Sequence, residues 1–215
     1  MKDGFLFGLL PYAALLLFVI GVAVRMGFAP RSSSGSLDAR PSWRGLPWRS
    51  WSWRVGLVGV LLGHLAGFLF PGALASIHQH PRFLSMMEAA GVIFGTLAVV
   101  GLLVEVFHDD GGLRPRSLLD TVGLTLVGVA LVSGLAMILA YRGAPSWYGP
   151  VLVPYLQSIL VFEPRLGLMG PLPFWVRLHV LTAFLLLAVA PWTSLGGWVA
   201  RRGRFGSLRA AQDVA

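Results

Sequence analysis

Five stretches of this chain, residues 5–28, 55–75, 86–107, 118–141 and 174–200, are almost continuously apolar. Each is close to the roughly 20 residues that an α-helix needs to cross a ~30 Å hydrocarbon core. Inside a bilayer the backbone must satisfy its own polar groups, and long apolar runs without alternation do so as helices. Charged residues make up only 12% of the chain, about half of the ~25% typical of soluble domains. The expected fold is therefore all-α and integral to the membrane. It is one five-transmembrane-helix bundle over residues 1–215. The first run is longer than a signal-peptide core, lacks a small-x-small cleavage site and ends at Arg25 and Arg31, so it reads as a retained helix.

Net charge is +8, which in a soluble protein would suggest nucleic acid. Here it reads as topology, and no nucleic-acid partner is expected. Arg25, Arg31, Arg40, Arg44, Arg49 and Arg54 cluster around the first connection, Arg114 and Arg116 lie in the third, and Arg201, Arg202, Arg204 and Arg209 lie in the tail. The other side carries Lys2, Arg82, Arg142, Arg165 and Arg177. The positive-inside rule then puts the N-terminus outside and the C-terminus in the cytoplasm, in a multi-pass protein of the cell membrane. Trp43, Trp48, Trp51 and Trp53 fall where an interfacial aromatic belt is expected. Cysteine is absent, which excludes thiolate-held metal, iron-sulfur clusters within the chain and disulfides.

Between the fourth and fifth spans lies "YGPVLVPYLQSILVFEP", too short to cross and interrupted by Pro154. It is expected as a short interfacial helix covering the outer end of the bundle.

Ionisable residues within a membrane are costly and usually mark function. His78 and His80 fall in the outer loop and His108 follows the third span, so these three read as solvated. His64 and His179 lie inside the second and fifth spans, which run antiparallel, and both belong to the outer half of the bilayer. Two facing imidazoles suit the axial ligation of a haem iron. The plainer alternative gives each ring one buried hydrogen bond, and position alone leaves both open. Gly56, Gly59, Gly63 and Gly67 form a small-residue ridge beside His64 that a flat macrocycle or another helix could approach. Arg177 stands two residues before His179, where a guanidinium could meet a haem propionate or simply anchor the helix at the interface.

"GLVGVLLGHLAGFLFP" in the second span, "VRLHVLTAFLLLAVAPW" in the fifth, "PYAALLLFVIGVAVR" in the first and "LQSILVF" before the fifth resemble the gamma subunit of respiratory nitrate reductase, a membrane cytochrome b. The resemblance runs in order along nearly the whole chain. It implies a haem b electron-transfer subunit that draws electrons from quinol and passes them to molybdopterin and iron-sulfur catalytic subunits. That family usually holds two haems. The histidines expected for the inner one would stand ten residues before His64 and eighteen after His179, where this chain has Arg54 and Gly197. Arginine stays protonated and glycine has no side chain, so neither ligates iron. His108 has no second histidine at that end to complete a pair. One haem b is expected, the outer one, with His64 and His179 as its iron ligands.

A single outer haem leaves most of the membrane uncrossed, which favours catalytic partners on the outer side. By resemblance the quinone site lies near Gly63. Leu84 stands close to the position of the family's lysine, Arg82 is the nearest cation, and Gln157 and Ser158 could offer hydrogen bonds to a quinone carbonyl. Two other readings remain, a non-redox membrane anchor and a proton or metal transporter. The transporter would normally show a deep carboxylate, whereas Glu88, Glu105 and Asp120 sit towards span ends.

Overall fold

The computed structural model describes residues 4–27, 47–73, 80–107, 115, 117–141 and 151–193. These form helices, with no strand among the described residues. A π-helical turn, Phe5–Leu9, leads into α1, Leu10–Gly27. Then come α2, Pro47–Leu69; α3, Pro81–Phe107; α4, Leu118–Ala140; the short α5, Val153–Leu160; and α6, Phe174–Val189, which closes in a 3-10 turn, Ala190–Trp192. Five of these segments are long and apolar enough to cross a membrane. The chain is a multi-pass membrane protein. His78, His108, Gly197, the residues at 28–46 and the tail lie outside the described residues.

Helix ends follow local chemistry. Ser117 caps α4 by accepting the Asp120 amide at 3.1 Å, and the Asp120 carboxylate complements the helix dipole there. Proline opens α2 and α3, where its missing N–H costs nothing. The last span was expected to reach residue 200, but its helix ends earlier. Pro191 cannot donate to the preceding turn, and Thr193 is already extended. The second helix begins at Pro47 rather than near 55, because the Trp- and Arg-rich stretch before the apolar run is itself helical.

Packing runs from α2 to α3, α3 to α4, α4 to α6 and α6 to α1. Glycine lets α2 and α3 approach closely. A Cβ on Gly56 would run into the Ala98 backbone, and one on Gly101 would fall 2.5 Å from the Trp53 backbone. A Cβ on Gly59 would strike the Phe94 ring. The part of the glycine ridge expected to clear space for a macrocycle thus makes a helix contact at Gly56 and Gly59. Gly63 differs, since a Cβ there would meet nothing within 4 Å.

The short α5 is tied to α1. The Tyr155 hydroxyl donates to the Phe7 carbonyl at 2.8 Å, and the Tyr12 hydroxyl donates to the Ile159 carbonyl at 3.2 Å. Pro11 has no N–H to offer Phe7 in a regular helix, and the π turn sits at this point. The C-terminal end of α5 closes with Glu163 N–H on the Ser158 carbonyl and Phe162 N–H on the Ile159 carbonyl, the Schellman pattern. Phe162 takes the left-handed position usually held by glycine, with φ of 61°, and its ring stacks on Tyr12 at 5.5 Å. Tyr155 and Ile159 of α5 form a core with Phe7, Met169 and Val176.

Candidate functional site

The structure brings His64 on α2 and His179 on α6 together. Their Nε2 atoms are 3.3 Å apart, and the ring planes are inclined by 28° with centroids 5.6 Å apart. This meeting bridges two helices that otherwise pack on different neighbours.

The Nδ1 side of each ring identifies its tautomer. His64 Nδ1 is 2.8 Å from the Val60 carbonyl, one turn back in the same helix. His179 Nδ1 is 2.9 Å from the Ala130 carbonyl of α4 and 3.2 Å from the Ser133 hydroxyl. A carbonyl oxygen only accepts, so in two neutral rings these contacts assign the proton to Nδ1 of each. Placing a proton on one Nε2 instead would turn an Nδ1 lone pair onto a carbonyl oxygen at 2.8 or 2.9 Å. With both protons on Nδ1, two bare Nε2 lone pairs face each other and repel. A Lewis acid shared between them would convert that repulsion into ligation. Nδ1–H held by a backbone carbonyl is the usual outer support of a metal-binding imidazole.

Among the described residues, no group of three or more His, Cys, Asp or Glu side chains gathers to hold a metal. The pair therefore offers a metal two ligands, too few for a bare ion that wants four or more. It suits a metal whose other positions are already filled.

The two rings are supported differently. His64 is exposed on its helix beside the open space at Gly63, whereas His179 is partly buried against α4. A Cβ on Gly134 would lie 3.1 Å from His179 Cε1, so the missing side chain makes room for the ring. Ser133, beside it, is 1% exposed. A cleft of about 350 Å³ between α4 and α6, bordered by Val129, Val132, Trp175 and Leu178, reaches Ser133.

The remaining expected site residues are more scattered. Arg177 lies two positions before His179, about 200° around the helix. Its guanidinium sits over the Phe7 ring, 5.3 Å from the centroid, on the α1 side. Arg82 is exposed in the first turn of α3, and Gln157 is exposed on α5. Ser158 is buried, and its hydroxyl donates to the Tyr155 carbonyl at 2.6 Å while accepting the Arg165 amide at 3.0 Å. Both bonds hold the end of α5. Arg54 is exposed on α2, and His80 meets Phe83 edge-on at 6.0 Å. The residues missed by the sequence reading are Ala130, Ser133 and Gly134. A serine in the middle of the apolar "LVSGLAM" was the available signal, since a mid-membrane hydroxyl needs a partner.

Comparison with known proteins gives this geometry its context. The family described as nitrate reductase gamma subunit matches residues 3–200. The nitrate reductase gamma chain of Bacillus subtilis is 27% identical over 207 residues, covering 91% of this chain and 90% of its own length. The respiratory nitrate reductase 2 gamma chain of Escherichia coli is 23% identical over 197 residues, covering 89% and 87%. A nitrate reductase-like protein, NarX, of Mycobacterium tuberculosis is 27% identical over 150 residues, which are 65% of this chain and 23% of that protein. With a match spanning all five apolar segments, the chain belongs to the nitrate reductase gamma subunit family.

Proposed function

We propose that this protein is the haem b-containing membrane anchor and electron-transfer subunit of a nitrate reductase-like oxidoreductase, exchanging electrons between the quinone pool and partner catalytic subunits. The carrying observation is the meeting of the His64 and His179 Nε2 atoms, 3.3 Å apart with both Nδ1 atoms turned to backbone carbonyls. A porphyrin already fills four positions of its iron, so two imidazoles are the donors it lacks. The haem, when bound, supplies a one-electron carrier cycling between ferric and ferrous iron. His64 and His179 would hold it through their Nε2 atoms, with the Val60 and Ala130 carbonyls fixing the rings. The open side of Gly63 leaves room beside His64.

We assign one haem per chain, at the outer end of the bundle, with the N-terminus outside and the C-terminus in the cytoplasm. At the inner position α2 carries Arg54, and the helix of α6 has already ended by Trp192. The partners that follow are quinol, with molybdopterin and iron-sulfur catalytic subunits docked on the outer side, in the cell membrane. Arg177 is assigned to a haem propionate, which requires its guanidinium to turn from the Phe7 ring. The quinone is placed beside Gly63 under α5, with Arg82 and Gln157 as the accessible polar groups. Ser158 contributes there by holding α5 in shape.

The test is a difference spectrum of the purified full-length chain with a reduced quinol analogue as the only reductant. The proposal expects a low-spin b-type α-band to appear on quinol addition. A colourless protein would favour a non-redox anchor. A haem that dithionite reduces but quinol does not would remove the quinone role.

A further inference from the structure

We infer that Ser133 is a positioning residue that tunes the electron affinity of the site through His179, an inference that rests on His179 being an axial ligand. Ser133 lies within the apolar run of α4 and is 1% exposed. Its hydroxyl donates to the Ala130 carbonyl at 3.1 Å, and the same oxygen stands 3.2 Å from His179 Nδ1. The His179 N–H therefore faces two acceptors, the Ala130 carbonyl at 2.9 Å and the Ser133 oxygen.

A serine that bonds back to its own helix satisfies itself without help from a neighbour. What that bond alone leaves unexplained is the convergence of three features of one turn of α4 on one imidazole. These are the Ala130 carbonyl, the Ser133 hydroxyl and the empty position at Gly134, where a Cβ would come within 3.1 Å of the ring. Among the described residues His64 has no such support from a second helix, its Nδ1 bonding its own helix at Val60. The ligand pair is asymmetric, with His179 seated on a second helix.

The consequence for electron affinity follows from charge. Acceptors on Nδ1–H draw the proton outward and make Nε2 a stronger donor, which favours the more positively charged ferric iron over the ferrous. The Ser133 oxygen is one of these acceptors. Its removal leaves the Ala130 carbonyl in place, so the ring stays fixed while Nε2 becomes a weaker donor. The midpoint potential then rises.

The experiment is a redox titration of the full-length chain in detergent, followed at the α-band, with haem content and the ferric electron paramagnetic resonance spectrum measured on the same samples. Ser133→Ala is well tolerated by a helix, and Ser133→Thr retains the hydroxyl. The inference expects Ser133→Ala to keep its haem and to show a several-fold larger ferrous-to-ferric ratio at a fixed solution potential, where tenfold corresponds to 59 mV for one electron. Ser133→Thr should titrate like the unaltered protein. Haem loss in Ser133→Ala with retention in Ser133→Thr overturns the tuning role, since the Ala130 carbonyl alone would then fail to hold the ring. An intact haem with an unmoved midpoint in Ser133→Ala overturns the role of Ser133 and leaves the ligand assignment standing, as does haem loss in both variants. A colourless unaltered protein overturns the ligand assignment and this inference with it.

Discussion

Replacing Tyr155 by phenylalanine should loosen α5 from the N-terminal helix it is tied to. The Tyr155 side chain is fully buried, and its hydroxyl donates to the carbonyl of Phe7, itself 2% exposed. The substitution keeps the ring and its edge contact with Phe7 while removing the donor. A buried acceptor left without its partner costs ~1–3 kcal/mol. At 1.4 kcal/mol per tenfold, the equilibrium for opening α5 rises by roughly 5- to 150-fold. Tyr12→Phe provides the internal comparison. Its bond to Ile159 is longer, at 3.2 Å, and only half-buried, so its loss costs less, about 0.5–1.5 kcal/mol. Hydrogen–deuterium exchange of the full chain in detergent reads both, through the amides of α5. Protection in Tyr155→Phe should fall by more than in Tyr12→Phe, while α3 is unaffected. Unchanged protection in Tyr155→Phe, or a larger loss in Tyr12→Phe, would refute the reasoning.

The same hydroxyl predicts a pH response. Burial, reinforced by Tyr12 nearby, pushes the Tyr155 phenol above its ordinary value of 10.0. A group whose pKa rises on folding lends stability that is complete below the unfolded value and is lost as pH climbs through the folded one. Protection of α5, corrected for intrinsic exchange, should therefore hold through neutral pH and decline only above the ordinary value of 10.0, and Tyr155→Phe should lack that decline. Gly56→Val should separate α2 from α3, since even a Cβ would strike the Ala98 backbone, and His64 would be carried out of register. Loss of more than half of the haem at unchanged expression is expected, and full retention would contradict the packing role of Gly56. Phe162→Gly relieves a left-handed strain of ~1 kcal/mol but forfeits the stack on Tyr12, so the two effects should nearly cancel in the exchange of α5. A loss as large as that of Tyr155→Phe would show the stack to dominate.

Much of the fold could be read from the residues, because the length of an apolar run is set by the thickness of the bilayer. The edges could not. The Trp- and Arg-rich start of α2 is polar yet helical, since interfacial residues need not break a helix, and a proline within an apolar run ended α6 before the hydropathy did. His64 and His179 were legible as a pair because antiparallel spans put them at one depth. The role of the glycines was not, because spacing gives a ridge without saying which neighbour meets it. Gly56 and Gly59 turned to α3, while Gly63 remained open. Ser133 was hidden for a related reason. Its significance depends on the contact between α4 and α6, which no local pattern encodes. The direction of Arg177 follows from helical geometry, since residues two apart do not share a face.

The most direct measurement is haem stoichiometry, determined as the pyridine haemochrome against protein concentration, for the unaltered chain and for His64→Ala and His179→Ala. One haem b per chain is expected in the first and none in either variant. Two haems per chain, or an unchanged haem content after either histidine is removed, would contradict that expectation.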